Sequence, residues 1–303
     1  MNPHGCHVLM VLRKDAIGKL RHVVSVHCHL GEGPVWDAKN NYLYWVDLFR
    51  NRMHRWCPLV PDAFDTINFD HMVSAIGLRK DGLILATSDG VAYANSDGNI
   101  EAWRYFPVLL QEGAHSNDGA VDRQGRFWLG TAAGKFPENH LYRLDSQSIQ
   151  IMESHIGISN GIGWSPDDRL MYYVDSPKQV IYVYDFDKST GDIANRRIFV
   201  NVPKSMGAPD GITVDRDGYI WCAIWDGWRV VRYSPDGHVD TEIRVPVQRP
   251  TSCTFGGKHL NTLYITSAST GLSARQRNQQ PFAGDVFAID LPVSGIGESY
   301  FLG

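Results

Sequence analysis

Four polar residues suggest chemistry by type and position: Glu32, Asn117, Asn160 and Asp210. Two carboxylates and two carboxamides are hard oxygen donors. Gathered in one desolvated space they would be costly without a cation between them. A donor set without His or Cys suits Ca²⁺, Mg²⁺ or Mn²⁺. His115 lies two residues before Asn117 and is read either as a structural residue or as a substrate contact. Asn-Gly and Asp-Gly are also ordinary turn dipeptides. The chemical reading therefore rests on whether the surrounding elements bring the four together.

Those elements read as short strands. Apolar and aromatic runs recur at Leu43–Val46, Leu83–Ala86, Phe127–Leu129, Met171–Val174, Tyr219–Cys222 and Leu263–Ile265, each after a polar turn such as Asp122-Arg123-Gln124-Gly125 or Asp215-Arg216-Asp217-Gly218. With one anchor per run (Tyr44, Ile84, Trp128, Tyr172, Trp221, Tyr264), the period is roughly 40–50 residues, that of a four-stranded propeller blade. Six such units use nearly the whole chain. The expectation is an all-β, six-bladed β-propeller over residues 1–303 as one domain, with a β-sandwich or two smaller β domains as the alternative. A leftover N-terminal strand around Val23 to Cys28 is expected to pair with the last blade and close the ring. Glu32, Asn117, Asn160 and Asp210 each fall 10–12 residues before an anchor. In a propeller, equal phase is equal height around the channel, so the four should converge at one mouth. The other two repeats carry Met72-Val73 and Ser252-Cys253 at that phase.

Composition removes several classes. With 29 Lys+Arg against 33 Asp+Glu, the formal charge is −4, which argues against nucleic acid or an anionic membrane as partner. Five cysteines, an odd number without a CxxC pair, read as reduced thiols. No Asn-x-Ser/Thr site occurs, and the apolar stretch Val8 to Leu12 ends at Arg13, too short for a signal peptide or span. A cytoplasmic protein, monomer or small homo-oligomer, is the expectation. Other motifs carry less. Gly157-Ile158-Ser159-Asn160-Gly161 fits GxSxG, but no helix pattern follows to make a nucleophile elbow. His27-Cys28-His29 resembles a metal cluster without a second ligand pair and is read as a partly exposed strand. Arg50, Arg52 and Arg55 read as a solvated blade edge, and Ser273 to Gln280 as a polar loop.

Several motifs together resemble one family. Leu30-Gly31-Glu32-Gly33-Pro34-Val35-Trp36 is similar to the opening motif of the SMP-30/gluconolactonase/luciferin-regenerating-enzyme family. The resemblance continues through Asn117-Asp118-Gly119, Ile158-Ser159-Asn160-Gly161, Pro209-Asp210-Gly211 and Pro250 to Gly257, over roughly residues 28 to 290. It implies a six-bladed propeller that hydrolyses a sugar lactone to the aldonic acid with one divalent metal ion (Ca, Zn, Mn, Mg or Fe) in its channel. The implied metal ligands are Glu32, Asn160 and Asp210, and the implied substrate-binding residue is Asn117. A carboxylate at the metal is placed to take a proton from the attacking water, so Asp210 is read as the general base, and His115, beside Asn117, is read as a further substrate contact. A metal-dependent esterase or organophosphatase of similar build, or a non-catalytic protein-binding propeller, are the alternatives. In two places the chain departs from the family. Many members carry Arg where His115 stands here, and Ala133 to His140 differs from the acidic stretch of animal members.

Overall fold

A computed structural model describes residues 17–60, 63–105, 114–133, 139–146 and 148–303. The stretch Val8 to Leu12, Cys6 and residues 134–138 lie outside the described residues. The strands form six antiparallel sheets arranged in chain order around a channel. Blade 1 consists of Gly31–Asp37, Tyr42–Asp47, Arg52–Trp56 and Phe64–Asn68. Blade 2 consists of Val73–Arg79, Gly82–Thr87, Gly90–Ala94 and Ile100–Tyr105. Blade 3 is Ala114–Val121, Phe127–Ala133, Asn139–Leu144 and Ile149–Ile156, and blade 4 is Ser159–Trp164, Leu170–Asp175, Val180–Asp187 and Asp192–Asn201. Blade 5 is Ala208–Val214, Ile220–Trp225, Arg229–Tyr233 and Val239–Arg244. Blade 6 takes Pro250–Gly256, Thr262–Ser267 and Val286–Asp290 from the C-terminal part and Arg21–Val24 as its outer strand.

Every anchor of the sequence repeat falls on the second strand of its blade. The reason is packing on both faces. In Leu170–Asp175, Tyr172 and Val174 join the apolar cluster shared with blade 5, while Met171 and Tyr173 join the one shared with blade 3. Alternate side chains point to opposite faces of a strand. A strand covered on both faces therefore reads as an unbroken apolar run. Among the described residues the core is divided into six such clusters, one in each wedge between neighbouring blades.

The polar turns before the second strands of blades 3 and 5 are built on aspartates. Asp122 accepts the N–H groups of Gln124 and Arg126 at 3.0 Å each and the indole N–H of Trp128 at 2.9 Å. Asp215 repeats this with Asp217, Tyr219 and Trp221, each at 3.0 Å. It also accepts two N–H groups of Arg232 at 2.9 and 2.7 Å. One buried carboxylate thus ties a turn to the aromatic anchor of the following strand.

Ring closure is as expected in kind and shifted in position. Arg21–Val24 pairs antiparallel with Val286–Asp290. The strand stops before Cys28 because Asp285 captures the N–H groups of Val26 and His27, at 2.9 and 2.7 Å, and His27 turns to φ 48°. His27-Cys28-His29 is accordingly a loop rather than a strand. Ser273 to Gln280 also differs: Ala274–Gln279 is an α-helix, started by a capping box in which Ser273 and Gln276 satisfy each other's backbone N–H. On the basic edge Arg50 is exposed, while the Arg55 side chain is mostly covered and paired to Asp65 and Asp97. One strand has no counterpart in the repeat. Tyr300–Phe301 runs parallel to the inner strand of blade 2, drawing residues 296–299 across the end of the channel away from the site. Among the described residues no helix is long and apolar enough to cross a membrane.

Arg232 has no exposed side-chain surface and pairs with buried Asp215 at 2.7 Å and with Asp240 at 2.9 Å. Removing one member of such a pair leaves the other charged and desolvated. Asp215→Ala is expected to destabilise the fold by about 3–5 kcal/mol, seen as a lower urea midpoint. A change below about 1 kcal/mol would show that the pair behaves as a surface contact.

Candidate active site

Glu32, Asn117, Asn160 and Asp210 all lie on inner strands, those of blades 1, 3, 4 and 5. Each sits where the pairing with the second strand slips: between Glu32 and Val35, Ser116 and Gly119, Ser159 and Ile162, and Pro209 and Ile212. Such bulges re-aim side chains, and here they turn the four toward the channel. Blades 2 and 6 slip at the same place, beside Ser74 and Thr251. These short hydroxyls link neighbouring blades instead, Ser74 to Ser116 at 2.7 Å and Thr251 to the carbonyl of Gly31 at 2.5 Å. The glycines after Asn160 and Asp210 are a packing requirement rather than a turn signal, whereas Gly33 after Glu32 is held at φ 52°. A Cβ on Gly161 would stand 2.5 Å from the backbone nitrogen of Ile212, and one on Gly211 would overlap Ser252.

The four residues and His115 line one cavity of about 420 Å³ at the channel mouth. Ser176, Gln179 and Thr270 add polar groups, and Leu30, Phe49, Pro177 and Trp225 supply apolar wall. A hydrogen-bond chain orients the carboxamides. Asn117 donates from Nδ2 to Asn160 Oδ1 and to the Ser159 carbonyl, at 2.8 Å each. Asn160 donates to Ser176 Oγ at 2.7 Å, and Ser176 to the Pro209 carbonyl at 2.6 Å. Asn117 Oδ1 and the second lone pair of Asn160 Oδ1 are left for a ligand. His115 Nδ1 lies 2.7 Å from the carbonyl of Ser116. A carbonyl only accepts, so Nδ1 carries the proton and Nε2 of the neutral ring is an acceptor.

Asp118 is the site-defining residue that sequence reasoning passed over. Its carboxyl faces the channel beneath the mouth. The signal was present, since Asp118 shares the phase of Asn117. Burial pushes its pKa up to about 6, opposed by the Gly119 N–H at 2.7 Å. Burial, then the charges of Asp210 and Asp118, hold the Glu32 carboxyl well above the usual carboxylate range. Burial and the charge of Asp118 do the same for Asp210. Among the described residues no Lys, Arg or His forms an ion pair with Glu32, Asp118 or Asp210. Hard oxygen donors, mutually repelled and without a cationic partner, fit a divalent cation bound by Glu32, Asn160 and Asp210.

Ser159 of the GxSxG match is buried inside the strand Ser159–Trp164, so it stands at no strand-to-helix turn and is not a nucleophile.

Fold and site together define a six-bladed propeller whose oxygen ligands collect at one mouth of the channel. Residues 30–269 match the SMP-30/Gluconolactonase/LRE-like region. The chain is 36% identical over 289 residues to the 6-deoxy-6-sulfogluconolactonase of Pseudomonas putida, covering 94% of this chain and 99% of the relative. It is 33% identical over 279 residues to the pentonolactonase XacC of Haloferax volcanii, covering 90% and 94%. The calcium-binding protein regucalcin from Agrobacterium tumefaciens shares the fold, with a TM-score of 0.89 at 24% identity over 94% of this chain and 97% of that one. The chain belongs to the SMP-30/gluconolactonase/LRE-like family and is a lactone-hydrolysing enzyme.

The raised carboxyls give a stability signature. A carboxyl that holds its proton more tightly in the folded than in the unfolded chain stabilises the fold at low pH. That contribution is complete below about pH 4 and is lost as pH rises through about 6, the folded value of Asp118. Chelator-treated protein is therefore expected to lose several degrees of Tm between about pH 5 and about pH 8. Adding a divalent cation should raise Tm more at the higher pH. A cation effect equal at both would contradict the shared carboxylate site.

Proposed function

We propose that the chain hydrolyses a neutral sugar lactone to the aldonic acid in a divalent-metal-dependent reaction at the channel mouth. The observation that carries this is the convergence of Glu32, Asn117, Asn160, Asp210 and His115 on one cavity large enough for a monosaccharide lactone. Glu32, Asn160 and Asp210 would hold the cation. When bound, it supplies positive charge where negative charge builds on the lactone carbonyl oxygen.

Asp210 takes the proton of the attacking water as general base. The water oxygen bonds to the carbonyl carbon, and the ring C–O bond then breaks. The ring oxygen takes the proton back from Asp210 and leaves as a hydroxyl, and the new carboxylic acid gives its proton to solvent, so the product is an open-chain aldonate with release of one proton per turnover. Asn117, fixed by its bonds to blade 4, presents Oδ1 to a ring hydroxyl. His115 offers an acceptor nitrogen where an arginine could only donate, so it selects a hydroxyl that donates. The small-molecule lactone is the partner in this reading.

The test is acid release from pentono- and hexonolactones in weak buffer, after chelation and with one divalent metal restored at a time. Metal-restored turnover supports the reading, and its absence with every metal despite metal binding overturns it. Asp210→Ala is expected to lower kcat by at least ~10²–10⁴-fold and to weaken metal binding, so a near-normal rate would remove Asp210 from its role. Asn117→Ala should mainly raise KM, with the folded state unchanged by circular dichroism.

A further inference from the structure

Between the loop that leads into Glu32 and the second and third strands of blade 1 lies a second cluster of ligating groups. Cys28, Asp47 and His54 are all buried, at 0%, 1% and 2% exposure. One ligand atom from each lies within 4.8 Å of the other two. His54 Nδ1 bonds Thr66 Oγ1 at 3.0 Å, while Nε2 is buried without a hydrogen-bond partner. A buried polar atom left unsatisfied costs about 1–3 kcal/mol, so it asks for a ligand. The Asp47 carboxylate accepts the N–H groups of His29 and Leu30 and one N–H of Arg50. Of its four lone-pair sites this leaves one, on Oδ1. The flanking His27 and His29 do not join the cluster: His27 is 63% exposed beside Asp285, and His29 lies edge-on to Phe49.

We propose that Cys28, Asp47 and His54 form a structural site for a borderline divalent metal of the zinc type, separate from the channel mouth. Thiolate, imidazole and carboxylate are the donors that zinc accepts together. On binding, the S–metal bond forms, the S–H bond breaks and one proton passes to solvent. The metal would join the third strand of blade 1, Arg52–Trp56, to Asp47, the residue that holds the backbone of His29 and Leu30 just before Glu32. The site is therefore a clamp on the approach to the mouth rather than a reaction centre.

The experiment is cobalt reconstitution of the chelated full-length protein. The mouth ligands include no sulfur, so a near-ultraviolet thiolate-to-cobalt charge-transfer band reports the second site. Wild type is expected to show that band, and Cys28→Ser to lose it and to bind one equivalent less metal by elemental analysis while still binding metal at the mouth. If Cys28→Ser does not fold, His54→Asn serves in its place, keeping a donor for Thr66 while removing Nε2. The same metal content in wild type and variant, or a wild type without the band, overturns the proposal.

Discussion

The mouth of this propeller is governed by the crowding of Glu32, Asp118 and Asp210 around one channel. Burial favours the neutral form of each, and each negative charge opposes the others. An apolar core would avoid the expense, which for buried charges amounts to several kcal/mol per ion. The arrangement makes sense as a cradle whose repulsion is cancelled by bound positive charge. The rest of the molecule serves to keep these groups near one another. The inner strands approach the axis so closely that Gly161 and Gly211 leave no room for a Cβ. Repeated bulges turn the polar residues inward, and Asn117, Asn160 and Ser176 fix the carboxamides from blade to blade.

Much of this was legible because a propeller writes its geometry into sequence as a period. Tyr172 and its counterparts repeat because second strands are covered on both faces, and Asn160 and Asp210 repeat because bulges recur at one height. What escaped reading lacked a period. Tyr300–Phe301 is two residues pairing in parallel with a distant strand, and nothing local announces it. The helix Ala274–Gln279 was announced, by the Ser273-x-x-Gln276 capping box, but its short polar sequence resembles a loop. Asp118 was hidden by its neighbour: two side chains at one bulge serve two depths, Asn117 the mouth and Asp118 the channel below. The grouping of Cys28, Asp47 and His54 depends on the third dimension of a blade and has no regular spacing.

Aspartate does three different things in this chain, distinguished by what surrounds the carboxylate. Asp122 and Asp215 accept backbone and indole N–H groups and hold a turn against the next strand. Asp47 and Asp285 cap the backbone of loops that enter a blade. Asp118 and Asp210 receive one local N–H, from Gly119 and Gly211, and otherwise face the channel. Satisfied carboxylates build the scaffold, and under-satisfied ones are left with capacity for chemistry.

The outer strand of blade 6 has a bearing on how the protein comes into being. Arg21 pairs with Asp290 across 269 residues of chain. The hairpins within each blade are local and can form early, whereas contacts so distant in sequence are slow to find. During synthesis the ring stays open until almost the last blade has emerged. The same seam is a place for the finished ring to part without dissolving the blades. Loss of the mouth through such a local opening would then set the working lifetime of the enzyme, a matter of barrier height more than of equilibrium stability.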